Sequence, residues 1–178
     1  MVIVRPEGGP RVVVGVDDSA GARCALAWAI GEARLRRMPL LVVHATPLPP
    51  HVSAAGQLGG GVTEALRASG AELLDRLLDE VAAPGEERPR TLTLVGEPGA
   101  ALVLLTREDD ILVVGHGGRS ALSRLLRPSV RLHCARRARA TLVCVRPPSV
   151  ESLLTSLATR DDSTGRARLR RFGWRQDG

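Results

Sequence analysis

Five short aliphatic runs, each separated from the next by a stretch of helical periodicity, constrain this chain more than any other feature. They lie within Arg11-VVVGV-Asp17 and at residues 40–45, 91–95, 111–114 and 142–145. The first run is continuous and β-branched, without alternating polar residues, which is the pattern of a strand covered on both faces. Between the first two, a helix over 22–37 places Cys24 or Ala25, Trp28, Ala29, Ile30 or Ala33, and Leu35 near a 3.6 period, facing inward. Arg23, Glu32, Arg34 and Arg36 face outward. Asp18 or Ser19 supplies its N-cap and Pro39 stops it.

Residues 46–61 read as a long loop rich in Pro and Gly. A helix over 62–82 follows, with Leu66, Leu73, Leu74, Leu77, Leu78 and Val81 on one stripe, and the Pro84-Gly85 break ends it. Shorter helices over 98–106 and 129–139 precede the last two runs. The order is therefore βαβαβαβαβ, which right-handed crossovers wind into a five-stranded parallel α/β sheet with helices on both faces. Aromatic residues are nearly absent (Trp28, Phe172, Trp174), so Val, Leu and Ala must build the core.

Residues 1–10 read as a flexible start and 11–148 as the domain. An Arg-rich tail follows over 149–178, with Val150, Leu153, Leu154 and Leu157 spaced for a short helix and disorder expected beyond. The formal net charge of +6 owes much to that tail. Without interleaved aromatics the domain does not read as a single-strand nucleic-acid binder. Cys24, Cys134 and Cys144 have no ligand-type spacing and read as small buried thiols, suiting a reducing cytoplasm. No apolar run reaches the length of a membrane span, and a soluble cytoplasmic protein is expected.

In a parallel sheet of this kind, ligands bind outside the carboxyl ends of the strands where the strand order reverses. Asp17 and Gly115 both fall at such ends. The fourth run feeds Gly115-His116-Gly117-Gly118, then a basic loop, then Ser129 at the start of the last helix. Glycines let backbone approach a ligand, and a following helix offers unpaired N–H groups, so this segment is a candidate anion site. Each residue also has a plainer reading: Asp17 as a turn or cap carboxylate, Gly115 and Gly118 as turn glycines, Ser129 as an N-cap. Ala45 and Val114 have theirs as ordinary core strand ends. His44 reads as structural, and His116 has no identifiable partner as a base. No nucleophile–base pair, metal constellation or Gly-Lys-Ser/Thr phosphate loop is present, so no efficient enzyme is expected.

The segments VVVGVDDSAGARCALAWAIGEA, LLVVHA, GEPGAAL and DILVVGHGG occur in an order that resembles the universal stress protein family over about residues 11–146. The resemblance implies a doubly wound, Rossmann-like sheet of the adenine nucleotide alpha hydrolase-like type, with strand order 3-2-1-4-5. It implies an adenine nucleotide (ATP or AMP, with Mg in some cases) as a sensing ligand in stress response. Asp17 and Gly15 would face the nucleoside, Ala45 and Val114 the adenine. Gly115, Gly118, Arg119, Ser129 and Val130 would lie about the phosphates. It also implies a homodimer through the last strand, at Leu142, Val143, Cys144 and Val145.

The nucleotide-binding branch of the family carries Gly, two residues, Gly, nine residues, then Gly and Ser or Thr. Gly115, Gly118 and Ser129 keep that spacing, but residue 128 is Pro where glycine is expected. Proline removes a donor and fixes φ. A lost charge-assisted bond of about 1.5–3 kcal/mol weakens binding by roughly one to two decades. Ser129 keeps its hydroxyl, and Arg119, Arg124 or Arg127 can supply charge. The expectation is a weakened nucleotide site. The alternatives are a nucleotide-free dimeric interaction module and, less favoured, a nucleic-acid accessory acting through the tail.

Overall fold

The computed structural model describes residues 8–49, 59–81, 87–116 and 129–148. The chain divides into units 1–147 and 148–178, and every element below belongs to the first. Five strands, β1 (Val12–Gly15), β2 (Leu40–Thr46), β3 (Arg90–Val95), β4 (Ile111–Gly115) and β5 (Thr141–Val145), form one sheet of order β3-β2-β1-β4-β5. All four pairings are parallel. Four helices connect them: α1 (Ala20–Arg36), α2 (Gly59–Val81), α3 (Pro98–Leu105) and α4 (Val130–Arg137). The expected doubly wound α/β architecture and its strand order are what the chain adopts.

The period of two along each strand divides the core. Val12, Val14, Val16, Val42 and Val113 point to the side of α1 and α2, whose Ala25, Leu26, Ala29, Leu74, Leu77 and Leu78 are buried against them. Val13, Val43, Leu112 and Val114 point the other way, onto Leu102 of α3 and Cys134 of α4. The central strands β1 and β4 are thus apolar on both faces, which explains why their sequence runs are continuous.

Several local expectations give way to packing. Trp28 is 37% and Leu35 80% exposed, while the inner face of α1 is Gly21, Ala22, Ala25, Leu26, Ala29 and Ala33. Small residues let the helix sit close to the sheet, and an indole would hold it away. Cys134 is buried as expected, but Cys24 is half-buried and Cys144 exposed, because β5 is an edge strand. α2 begins at Gly59, taking in glycines assigned to the loop. Helix α1 ends on Arg37 in the left-handed region (φ 55°), and the Met38 N–H returns to the Ala33 carbonyl at 2.8 Å.

The sequence reading missed one buried ion pair. Asp110 is 1% exposed and accepts from the Arg11 N–H (3.1 Å), Arg11 Nε (3.1 Å) and the Arg107 N–H (3.0 Å). Arg11 Nη2 also donates to the Leu105 carbonyl at 2.5 Å. This cluster fixes the starts of β1 and β4 and the end of α3 at the amino edge of the sheet. Its only sequence signal was a charge on either flank of two apolar runs.

Candidate functional site

The carboxyl edge is assembled from strand ends held in register. Gly15 is the neighbour of Val114 across β1 and β4, and of Val43 across β1 and β2. Ala45 is half-buried opposite Leu94 of β3. The Val16 N–H donates to the Val43 carbonyl at 2.9 Å, carrying the ladder one residue further. Asp17 follows at the reversal of strand order, half-buried and engaged in an interaction of its own.

The two candidate caps separate cleanly. Ser19 Oγ accepts from the Ala22 N–H at 3.1 Å and is the N-cap of α1. Asp18 instead pairs with Arg23 (2.9 Å) and Arg76 (3.6 Å), and Arg23 also reaches Glu80 (2.8 Å). The Glu80 and Asp18 hydrogen bonds raise the Arg23 pKa above its ordinary value.

His44 joins the strand ends. A carbonyl oxygen accepts only, so Nδ1–H donates to Val16 O at 2.9 Å, and the Thr46 hydroxyl donates to Nε2 at 2.8 Å. Thr46 O in turn accepts the Gly96 N–H at 2.9 Å. Helix α2 packs on this point through Gly70, where a Cβ would lie 2.4 Å from Thr93 Cγ2 and 2.9 Å from His44 Cδ2. The structural role read for His44 is the one it has.

At the end of β4, Val114 is 2% exposed within the core, so its side chain faces apolar neighbours and its backbone alone borders the edge. A Cβ on Gly115 would lie 2.4 Å from the carbonyl carbon and oxygen of Gly21 and 2.7 Å from the Ala22 nitrogen. The missing side chain at Gly115 is thus required by the first turn of α1. At Gly15 a Cβ would meet Leu102 Cδ1 at 2.6 Å. His116 is held by its N–H, which donates to the Val145 carbonyl at 2.6 Å.

Ser129 is exposed and opens α4, its Oγ accepting from the Leu132 N–H at 3.4 Å. Val130 packs at the margin of the core on the side of α3 and α4. Helices α3 and α4 meet where Gly99 faces His133, with 2.9 Å to its Cβ from a Cβ built at the glycine. Gly118, Arg119, Arg124, Arg127 and Pro128 lie outside the described residues. A cavity of about 1020 Å³ opens at the other end of the sheet, among the amino ends of β2 and β3.

The model of the universal stress protein family matches residues 10–146. The chain belongs to that family. Among curated relatives, universal stress protein Rv3134c of Mycobacterium tuberculosis strain H37Rv is 34% identical over 152 residues, covering 85% of this chain and 54% of the relative. Universal stress protein Mb2028c of Mycobacterium bovis is 29% identical over 143 residues, covering 75% of this chain and 47% of the relative. The chain spans about half the length of the curated relatives it matches. Among solved structures, a universal stress protein in complex with cAMP is 26% identical with a TM-score of 0.59, covering 76% of this chain and 96% of its own. A universal stress protein of Archaeoglobus fulgidus is 25% identical with a TM-score of 0.55, covering 76% of this chain and 98% of its own.

The described residues can be tested against a bound nucleotide. Ser129 Oγ spends a lone pair on Leu132 and keeps its O–H to donate, beside the positive end of α4. That donor set fits an anionic oxygen. Among the described residues no helix is long and apolar enough to cross a membrane.

Proposed function

We propose that this universal stress protein binds an adenine nucleotide weakly at the carboxyl edge of β1 and β4, as a regulatory ligand and not as a substrate. The observation that carries the reading is Ser129, an exposed hydroxyl that caps α4 while keeping its own proton to donate. Asp17 would take the nucleoside end, with Gly15, Ala45 and the Val114 backbone bordering the base. Gly115, Gly118, Arg119, Ser129 and Val130 would surround the phosphates. The related structure in complex with cAMP supports the ligand class. When bound, ATP would supply a polyphosphate and Mg would screen it.

Calorimetry with ATP, AMP and cAMP on purified protein tests the reading. Weak heats that sharpen in Pro128→Gly are expected. No heat and no thermal shift at millimolar nucleotide would end it. The enzyme question is tested beside it: phosphate release from ATP should stay near the uncatalysed rate. Among the described residues, the one imidazole with both nitrogens engaged, His44, is committed to Val16 and Thr46.

The same proposal includes a homodimer through β5, whose outer edge has no partner in the sheet among the described residues and which carries Leu142, Val143, Cys144 and Val145. A Cys144→Arg variant, at the exposed position of β5, should shift the molar mass by light scattering from dimer to monomer. A second reading, a nucleotide-free dimeric module in the cytoplasm, is favoured by the glycines. Gly15 and Gly115 are both accounted for by contacts inside the fold. Mass analysis of ligand released from freshly purified protein separates the two.

A further inference from the structure

The two faces of the sheet are covered unequally. Helices α1 and α2 have 17 and 23 residues, while α3 and α4 have 8 each. At 1.5 Å per residue the short pair reach about 12 Å, against roughly 20 Å for a strand the length of β2 or β3. A cavity of about 1020 Å³ lies on that face between the carboxyl-terminal ends of α3 and α4 (Val103, Leu104, Leu105, Arg137) and the amino ends of β2 and β3.

Its floor is aliphatic, with Leu41 and Leu92 from the strands and Leu104, 63% exposed, from α3. The charged residues at its mouth are five arginines and one carboxylate, Glu108. Arg11 is neutralised by Asp110, and Arg139 reaches Glu108 at 3.3 Å. Arg90 and Arg137 are exposed and make no ion pair among the described residues. An apolar trough with two unneutralised guanidinium groups on its rim is complementary to a ligand with aliphatic and carboxylate groups. Guanidinium forks match carboxylates bidentately.

We propose that this groove docks an acidic peptide segment of a partner protein, its aliphatic side chains on Leu41, Leu92 and Leu104 and its carboxylates on Arg90 and Arg137. The volume sits at the top of the range for small-molecule pockets, about 300–1000 Å³, which suits a peptide segment. Nucleic acid fits less well, since no aromatic residue lines the groove for bases to stack on. The site lies at the opposite end of the strands from the nucleotide proposal and stands independently of it.

The test uses the full chain and a fluorescein-labelled peptide of roughly twelve residues made of Leu, Asp and Glu, long enough to place several carboxylates within reach of both arginines. Anisotropy should report saturable, salt-sensitive binding. Leu104→Asp and the pair Arg90→Glu with Arg137→Glu should each weaken it by about tenfold or more, the scale of an interface hot spot. All three positions are exposed, and circular dichroism confirms that the variants fold. A peptide with Lys for every acid should not bind. The assignment is overturned if the acidic peptide does not bind, or binds equally to both variants. Binding that appears only after residues 1–7 are deleted would give the groove to the chain's own leader and also overturn it. Loss of self-association in Leu104→Asp without peptide binding would give it to a second copy, with the same consequence.

Discussion

Gly115 at the end of β4 lies so close to Gly21 in the first turn of α1 that a Cβ would sit 2.4 Å from the Gly21 carbonyl carbon. The contact is backbone against backbone, so no side chain can rotate to relieve it. Gly115→Ala should therefore destabilise the fold by about 1–3 kcal/mol, the range for overpacking. Gly31, exposed on α1, has nothing within 4 Å of a built Cβ. Gly31→Ala should stabilise by about 0.5–1 kcal/mol through helix propensity. Urea denaturation of the two variants side by side checks the contrast, and equal effects would contradict it.

The buried ion pair gives a second expectation. Asp110→Ala leaves Arg11, 9% exposed, without its carboxylate, and removes the acceptor of two backbone N–H groups. The loss should be about 3–5 kcal/mol. Arg11→Met combined with Asp110→Leu should recover part of it, because removing both charges removes the desolvation penalty as well. A double variant no better than Asp110→Ala would argue against the pair as the source.

Arg37 holds a left-handed conformation, φ 55° and ψ 40°, at the end of α1. The cost for a residue with a Cβ is about 1–2 kcal/mol, offset by about 0.5–1 kcal/mol of glycine entropy. Arg37→Gly should therefore raise stability by up to about 1 kcal/mol, read as a higher thermal midpoint. A fall would show that the Arg37 side chain contributes something its exposure conceals.

Burial, followed by the neighbouring Cys144, pushes the Cys134 thiol from 9.0 up to about 11. The folded protein keeps this proton at pH values where the unfolded chain has lost it. The stability linked to the group is present below pH 9.0 and is lost as pH rises toward about 11. Cys134→Ala should flatten the stability curve across that window. In native protein a thiol reagent near pH 8 should leave buried Cys134 unmodified.

Much of the fold was legible because the central strands β1 and β4 are apolar on both faces and helices α1 and α4 begin on capping serines. Ser19, Pro39 and Ser129 mark helix boundaries by local chemistry that no distant contact alters. The motif spacing from Gly115 to Ser129, and the proline that interrupts it, were also matters of sequence alone.

What the chain could not announce locally is which residues meet. Trp28 and Leu35 share a period with the inner face of α1, yet the sheet admits the alanines and leaves both larger side chains outside. Arg11 and Asp110 stand 99 residues apart and become partners because β1 and β4 are neighbours. Gly115 read as a glycine kept for a ligand or a turn, and its tightest neighbour is the backbone of Gly21. By itself the sequence determined the alternation of strands and helices, since that rests on period and caps. The tertiary structure decided the inward faces, the buried charge and the reason for each glycine, because these depend on how closely two distant segments approach.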